Sequence, residues 1–269
     1  MLQLTYLNIK DVTFVKVLGI LGAHKEHGVT RMMLDQVLHQ VQAPNTSEII
    51  YLEDYQIKPD IKGQPNPTMD QIIAKLEAAD VWVIAAPTYW GGLSGVMKNF
   101  FDCLRQRLVR FDHKGGTHPD KFAHKHYISL TNCYAGKWEN FLSGVTDASF
   151  RTIDKVLTAG GLIKIGEAVQ TATWGLTELA PAKQKELTKL GQKINRATRK
   201  DDQTVKRYFE LFFIVAVMAF ITMAIQSLCL KLLNLSLGFW SNYISFVIIF
   251  FALLAVTLHF FTVVKHKRK

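Results

Sequence analysis

The sequence predicts a doubly wound α/β domain, a five-stranded parallel sheet in the order 2-1-3-4-5, followed by a pair of apolar helices. Three observations predict it. Five short apolar runs alternate with stretches of helical periodicity, the pattern of strands joined by crossover helices. The first and third runs end in polar, glycine-containing loops that open helices, VKVLGILGAHKEHGVT at residues 15–30 and AAPTYWGGLSGVMK at 85–98. Residues 211–230 and 232–264 contain no Asp, Glu, Lys or Arg, and a helix of about 20 such residues is long enough to span a bilayer. Short crossovers and two opening loops at one sheet edge favour this order over the dinucleotide-binding one, and that edge is where open α/β sheets bind ligands.

The elements follow in order. Residues 1–14 are an N-terminal extension, either an extra edge strand or a loose segment. Residues 15–22 are apolar almost throughout, as a central parallel strand must be. The loop 23–28 leads to a helix ending near residue 42, with Thr30 as its cap and Met33, Leu34, Val37, Leu38 and Val41 at helical spacing. Residues 47–52 form the second strand. Pro59, Gly63, Pro65 and Pro67 make 53–68 a long loop, and 69–79 is a helix. The third strand, 81–86, leads through the loop 87–92 into a helix over 94–109. A loop rich in His, Gly and Asp covers 110–124. The fourth strand is 125–132, its loop 133–138 and its helix 145–159. The fifth strand is 162–169, its loop 171–175, and a basic helix over 178–199 closes the domain. The divisions expected are therefore 15–182 for the α/β domain, 183–207 for a basic juxtamembrane helix, 208–264 for two spans and 265–269 for a basic tail.

The charge supports that division. The chain carries a formal net charge of +10, yet residues 1–182 hold 18 basic and 18 acidic side chains. The excess lies in 183–207, with nine basic and three acidic residues, and in the final KHKRK. Nucleic-acid binding calls for a basic face with a reading element, whereas here the basic excess lies off the neutral domain and flanks the apolar segments. Basic residues flanking apolar spans suit anionic lipid. The short link between the spans makes a hairpin, and the Lys/Arg bias places the domain and tail on the cytoplasmic side of the cell membrane. Cys103, Cys133 and Cys229 are odd in number and widely spaced, which excludes a disulfide framework or a zinc-ligand pattern.

Two loops carry the chemistry. In GAHKEHGVTR, residues 22–31, Gly28 permits close backbone approach, Thr30 offers a hydroxyl, and Lys25 and Arg31 offer charge. A helix N-terminus with such groups suits a phosphate, and the same residues suit a solvated turn equally well. In PTYWGG, Tyr89 and Trp90 offer flat apolar surfaces to an isoalloxazine ring, and Gly91 and Gly92 offer backbone donors to its polar edge. His113, His118, His124 and His126 include no i, i+4 pair on a helix and no acidic cluster, so no metal is expected. A lone loop cysteine such as Cys133 is an ordinary thiol unless its surroundings activate it.

The stretch PTYWGGLSGVMKNFFD, residues 87–102, resembles the second motif of the NADPH-dependent FMN reductase and NAD(P)H:quinone reductase group of flavodoxin-like proteins. GAHKEHGVT is a looser version of that group's first motif, with Ala23 for a serine, His24 for a proline and Lys25 for an arginine. The resemblance covers roughly residues 15–175. It implies FMN as cofactor and NAD(P)H as co-substrate. Lys25, Gly28, Thr30, Pro87, Thr88, Tyr89, Trp90, Gly91 and Gly92 would hold the flavin, with Thr131, Asn132 and Gly136 of a third loop. It also implies dimers with the flavin near the interface. No catalytic acid or base is required of the protein.

The function expected is a membrane-anchored flavin-dependent NAD(P)H oxidoreductase. It would pass electrons to a quinone, a flavin or a protein acceptor. A membrane-tethered electron carrier without NAD(P)H turnover would show the same fold, as would a flavin-free scaffold. The neutral domain and basic first loop argue against the carrier.

Overall fold

The computed structural model describes residues 14–196, 203–232 and 238–267. Residues 1–13 of the N-terminal extension expected over 1–14, and the middle of the link, 233–237, lie outside the described residues. The chain divides into two compact units, parting at residues 199 and 200.

The first unit is the expected sheet. Strands β1 (Lys16–Leu21), β2 (Thr46–Tyr51), β3 (Val81–Ala85), β8 (His126–Asn132) and β9 (Ile163–Gln170) lie in the order β2-β1-β3-β8-β9, all parallel. Counted within the sheet this is 2-1-3-4-5, the flavodoxin-like order. Helices α1 (Val29–Leu38) and α6 (Pro181–Gln192) cover one face, and α2 (Pro67–Ala78), α3 (Gly95–Leu108) and α5 (Asp147–Ala159) the other. Alternate residues of the central strands feed two cores. Leu18, Ile20, Trp82, Ile84 and Tyr127 face α2, α3 and α5. Val17, Leu21, Val81, Val83, Ala85 and Leu130 face α1 and α6. Burial on both faces is why these strands read as continuous apolar runs.

Several boundaries differ from expectation. Gly28, not Thr30, is the N-cap of α1, and no side chain caps that helix. Helix α2 starts at Pro67 because the Asn66 side chain accepts from the Met69 N–H (3.2 Å) and proline suits a first helical position. The expected loops 87–92 and 110–124 contain hairpins, β4 (Thr88–Tyr89) with β5 (Gly92–Leu93), and β6 (Val109–Phe111) with β7 (Thr117–Pro119). A helix begins inside the expected third loop, α4 (Lys137–Ser143), ending at Gly144 with φ 65°. Seven residues between glycines are too few to show an apolar period. The closing helix ends at Gln192 rather than near residue 199, and a 3-10 turn follows at Ile194–Arg196.

The second unit is two long helices, α7 (Gln203–Leu232) and α8 (Phe239–Lys267). Phe212–Leu232 and Phe239–Thr257 are long and apolar enough to cross a membrane, with mean hydropathy 2.3 and 2.1. Phe213, Phe220, Ile248 and Phe251 are exposed, while Met218 and Thr222 are buried. The Thr222 hydroxyl donates to the Met218 carbonyl (2.8 Å), and the Gln226 amide donates to the Asn242 carbonyl (2.7 Å) and the Ser245 hydroxyl (2.6 Å). The polar side chains at the link end of the pair are thus turned on one another. The His259 side chain lies outside the described residues.

Two predictions test this packing. A Cβ on Gly191 of α6 would lie 2.5 Å from the Val37 carbonyl oxygen of α1. Gly191→Ala is therefore expected to lower unfolding stability by about 1–3 kcal/mol, measured by urea titration. Arg107 of α3 donates to both Asp60 oxygens (2.5 and 2.7 Å) and holds this carboxyl below its ordinary range. A depressed carboxyl stabilises the fold above its unfolded value, about 3.9, and loses that contribution as pH falls through the folded value. Asp60→Asn should weaken the fold at neutral pH and flatten the acid limb of its stability profile below about pH 4.

Candidate functional site

Strands β1, β3 and β8 are neighbours in register, with Leu21 opposite Ala85 and Ala85 opposite Leu130. The loops that follow them emerge side by side at the carboxyl edge. This is also where the chain reverses direction across the sheet, since β1 is flanked by β2 and β3, the position at which such sheets hold ligands. A hollow lined by Lys16, Thr46, Glu48 and Lys75 lies at the opposite edge. It has none of the loop features described below.

Four contacts lock the three loops together. The buried Thr30 hydroxyl donates to Asn132 Oδ1 (2.7 Å), joining α1 to the end of β8. The Ser94 hydroxyl donates to the Gly22 carbonyl (2.6 Å), joining the start of α3 to the end of β1. Thr88 Oγ1 lies 2.9 Å from Thr131 Oγ1 and 2.7 Å from Ser149 Oγ, all three buried. The rings of His24 and Tyr89 lie parallel, 6.0 Å apart with an angle of 8°.

The expected residues therefore divide. Thr30, Thr88, Thr131 and Asn132 are side chains of the scaffold, their side-chain oxygens held by one another and by Ser149. Pro87 is buried, and its carbonyl accepts from the Ser94 N–H (3.1 Å). Lys25, Tyr89 and Trp90 are exposed at the rim, and Gly28, Gly91, Gly92 and Gly136 are half-buried there. A Cβ on Gly91 or Gly136 would meet open space, and one on Gly28 only the Lys25 side chain at 3.9 Å. The glycines thus turn bare backbone outward.

The first loop is electrostatically sorted. Glu26 faces Arg31 (3.4 Å) and His27 (3.9 Å), and Glu53 holds His24 (2.9 Å). Arg31 also pairs with Asp35 at 2.8 Å, so it is not the free cation the sequence suggested. Lys25 has no ion-pair partner among the described residues. Beside it α1 begins uncapped, and its first ladder bond runs from the Met32 N–H to the Gly28 carbonyl (3.0 Å). The N–H groups ahead of that bond have no ladder partner within the helix. An exposed lysine beside an uncapped N-terminus is a donor set for an anion. Burial, then the charges of Glu53, Glu26 and Asp54, raise the Tyr51 phenol above its ordinary range.

The second loop is a tight hairpin. Thr88 pairs with Leu93 and Tyr89 with Gly92, leaving Trp90 (φ 53°) and Gly91 (φ 74°) as the two turn residues. Positive φ at both is the primed turn that matches strand twist, and it favours Asn, Asp or Gly. Tryptophan there is strained, and its side chain is fully exposed at 102%. Strain of this kind, about 1–3 kcal/mol, gathers at functional sites.

Residues beyond the expected set share the edge. Tyr134, Trp138 and Trp174 are exposed on loops after β8 and β9 or in the helix that follows. The two loops are joined by Ala172 N–H donating to the Ala135 carbonyl (2.8 Å). Trp174 was findable from its place just after an apolar strand. His24 and Ser149 gave no signal, because their partners are distant in sequence. Cys133 is buried, its thiol donates to the Ala135 carbonyl, and burial pushes it above its ordinary range. Its surroundings keep it a thiol. Of the four histidines, His118 pairs with Asp112 (2.8 Å) across the β6–β7 hairpin. Among the described residues no three His, Cys, Asp or Glu side chains gather at one point.

Residues 15–126 match the family described as NADPH-dependent FMN reductase. The match covers less than half of the chain. An iron-sulfur flavoprotein of Archaeoglobus fulgidus is 32% identical over 105 residues, covering 36% of this chain and 51% of the relative. An NAD(P)H-dependent FAD/FMN reductase of Geobacillus thermodenitrificans is 30% identical over 129 residues, covering 44% of this chain and 66% of the relative. The chain thus spans about half the length of the first curated relative. Among solved structures, the NAD(P)H:quinone oxidoreductase from Methanothermobacter marburgensis superimposes with a TM-score of 0.52 at 13% identity. It covers 68% of this chain and 96% of its own, which bears on fold alone. The family match ends at the first residue of β8, so the third loop lies beyond it.

The hydroxyl network supplies a test. Thr88→Val keeps shape and leaves Thr131 and Ser149 without their shared partner. It should cost about 1–3 kcal/mol of stability in urea unfolding, whereas Thr88→Ser should cost under half as much.

Proposed function

We propose that this chain is an FMN-dependent NAD(P)H oxidoreductase anchored in the cell membrane by its two C-terminal helices, with the α/β domain in the cytoplasm. The observation that carries the flavin reading is the Trp90–Gly91 turn, a strained and fully exposed aromatic next to an uncapped helix N-terminus.

The donor set fits the cofactor. The phosphate takes the start of α1, with the N–H groups ahead of Met32, the Lys25 ammonium and the bare backbone of Gly28. Thr30 contributes its N–H, because its hydroxyl is held by Asn132. Tyr89 and Trp90 give the ring flat apolar contact, and Gly91, Gly92 and Gly136 allow backbone approach at its edge. Thr88, Thr131, Asn132 and Pro87 hold those loops in place. Burial raises the Tyr89 phenol, so it meets the ring as a neutral group. Held by these residues, FMN would supply the redox chemistry that links hydride from NAD(P)H to a quinone, flavin or protein acceptor. The protein's part is position and exclusion of water.

The membrane reading rests on Phe212–Leu232 and Phe239–Thr257. Helices of 21 and 19 residues are about 30 Å long, matching the hydrocarbon core. Apolar side chains face outward, while Thr222, Gln226 and Ser245 make hydrogen bonds within the pair, as hydrocarbon requires. Basic residues flank the spans on one side, which sets the orientation. A tether concentrates the domain near a membrane-borne acceptor without any new contact.

Detergent-purified full-length protein mixed with FMN should retain a yellow chromophore after gel filtration and oxidise NADH or NADPH with a soluble quinone. Colourless protein without turnover rejects the flavin reading. Trp90→Gly should raise apo-protein stability by about 1 kcal/mol through relief of strain while weakening FMN binding at least tenfold. Release from membranes by alkaline carbonate would reject the anchor.

A further inference from the structure

We infer that His24 is a positioning residue for the Tyr89 ring, held in turn by Glu53, and that this brace sets how the second loop grips a flat ligand. The inference rests on the assignment of Tyr89 to the flavin site.

Three groups from neighbouring strands meet on His24. The Tyr51 hydroxyl, at the end of β2, donates to the His24 main-chain carbonyl (2.8 Å). Glu53 Oε1, in the turn directly after β2, lies 2.9 Å from His24 Nδ1. The opposite side of the imidazole is taken by Tyr89, parallel and 6.0 Å away. The main chain, one edge and one face of the residue are each held. An otherwise exposed loop side chain, 64% accessible, thereby gains a defined orientation.

Tyr89 has little else to fix it. It sits in a strand of two residues, is 45% exposed, and its phenol has no hydrogen-bond partner among the described residues. The hydroxyl network fixes Thr88, whose side chain points to the other side of the short strand. Parallel aromatic pairs at this separation are attractive and orientation-dependent. The ring plane of Tyr89 is therefore set by His24, and that of His24 by Glu53. The coupling runs from the β2 turn to the β4–β5 hairpin across the tip of β1.

A fluorine label on Tyr89 reads the brace without flavin, activity or cofactor. Full-length protein carrying 3-fluorotyrosine at position 89 is compared with His24→Ala, His24→Phe and Glu53→Gln by 19F NMR in detergent. His24→Ala should move the resonance toward that of free 3-fluorotyrosine, with the unfolding midpoint unchanged. His24→Phe, which keeps a ring but loses the Nδ1 that Glu53 holds, should recover part of the shift, and Glu53→Gln should stay closer to the wild-type position. FMN affinity should drop about 3- to 10-fold in His24→Ala and recover in part in His24→Phe. A resonance that stays in place, a phenylalanine variant no better than alanine, or unchanged affinity in His24→Ala overturns the inference. Wild-type protein that takes up no FMN overturns the flavin assignment instead, and the fluorine shift still decides whether the brace exists.

Discussion

The parallel pairing of β1, β3 and β8 is the constraint on which the site depends. Three strands running the same way in register must release their chains at the same edge, and each chain must then turn back into a helix. Proximity of the loops follows from hydrogen-bond geometry alone. The loops need only supply side chains that hold them to one another, and Thr30–Asn132, Ser94–Gly22, Thr88–Thr131 and His24–Tyr89 do so. Three of them join strands that are neighbours in the sheet, and Thr30–Asn132 reaches across β3 from the β1 side to β8. The edge is thus a fastened platform rather than a set of independent loops.

Much of this was legible in the amino-acid order, for physical reasons. Val81–Ala85 is buried on both faces, so every residue is apolar and the strand stands out. Tyr89 and Trp90 stand out for the opposite reason, as large aromatics between a proline and two glycines. What stayed hidden depends on partners far along the chain. Thr30 reads as a cap because threonine before a periodic run often caps, yet its hydroxyl finds Asn132, over a hundred residues away. Arg31 reads as a free charge until Glu26 and Asp35 are seen beside it. Helix α4 was invisible because seven residues cannot display an apolar period.

The energetics of the edge run against those of the cores. Beneath it, Trp82, Tyr127 and Phe100 are fully buried, and the Trp82 indole N–H donates to the Leu76 carbonyl (3.1 Å). At the rim, Trp90 and Trp174 lie almost wholly in solvent, and Trp90 and Ala172 hold positive φ. Groups left in such states lower the stability of the empty protein, and dense packing below offsets them. In the second unit the balance takes another form. Gln226 is costly in an apolar pair unless satisfied, and Asn242 and Ser245 satisfy it from the facing helix.

One of the two border strands, β9, has a bearing on how copies of this protein behave near one another. β9 exposes one row of backbone groups, and an open row of that kind can recruit a strand from another molecule. Here the ladder to β8 slips between Tyr127 and Ile128, and Lys164 and Glu167 sit on the border strand, bound into a cluster with Asp154. An added strand would have to follow a bent border and crowd charges already committed elsewhere. On the β9 side the sheet is thereby closed to edge-to-edge growth.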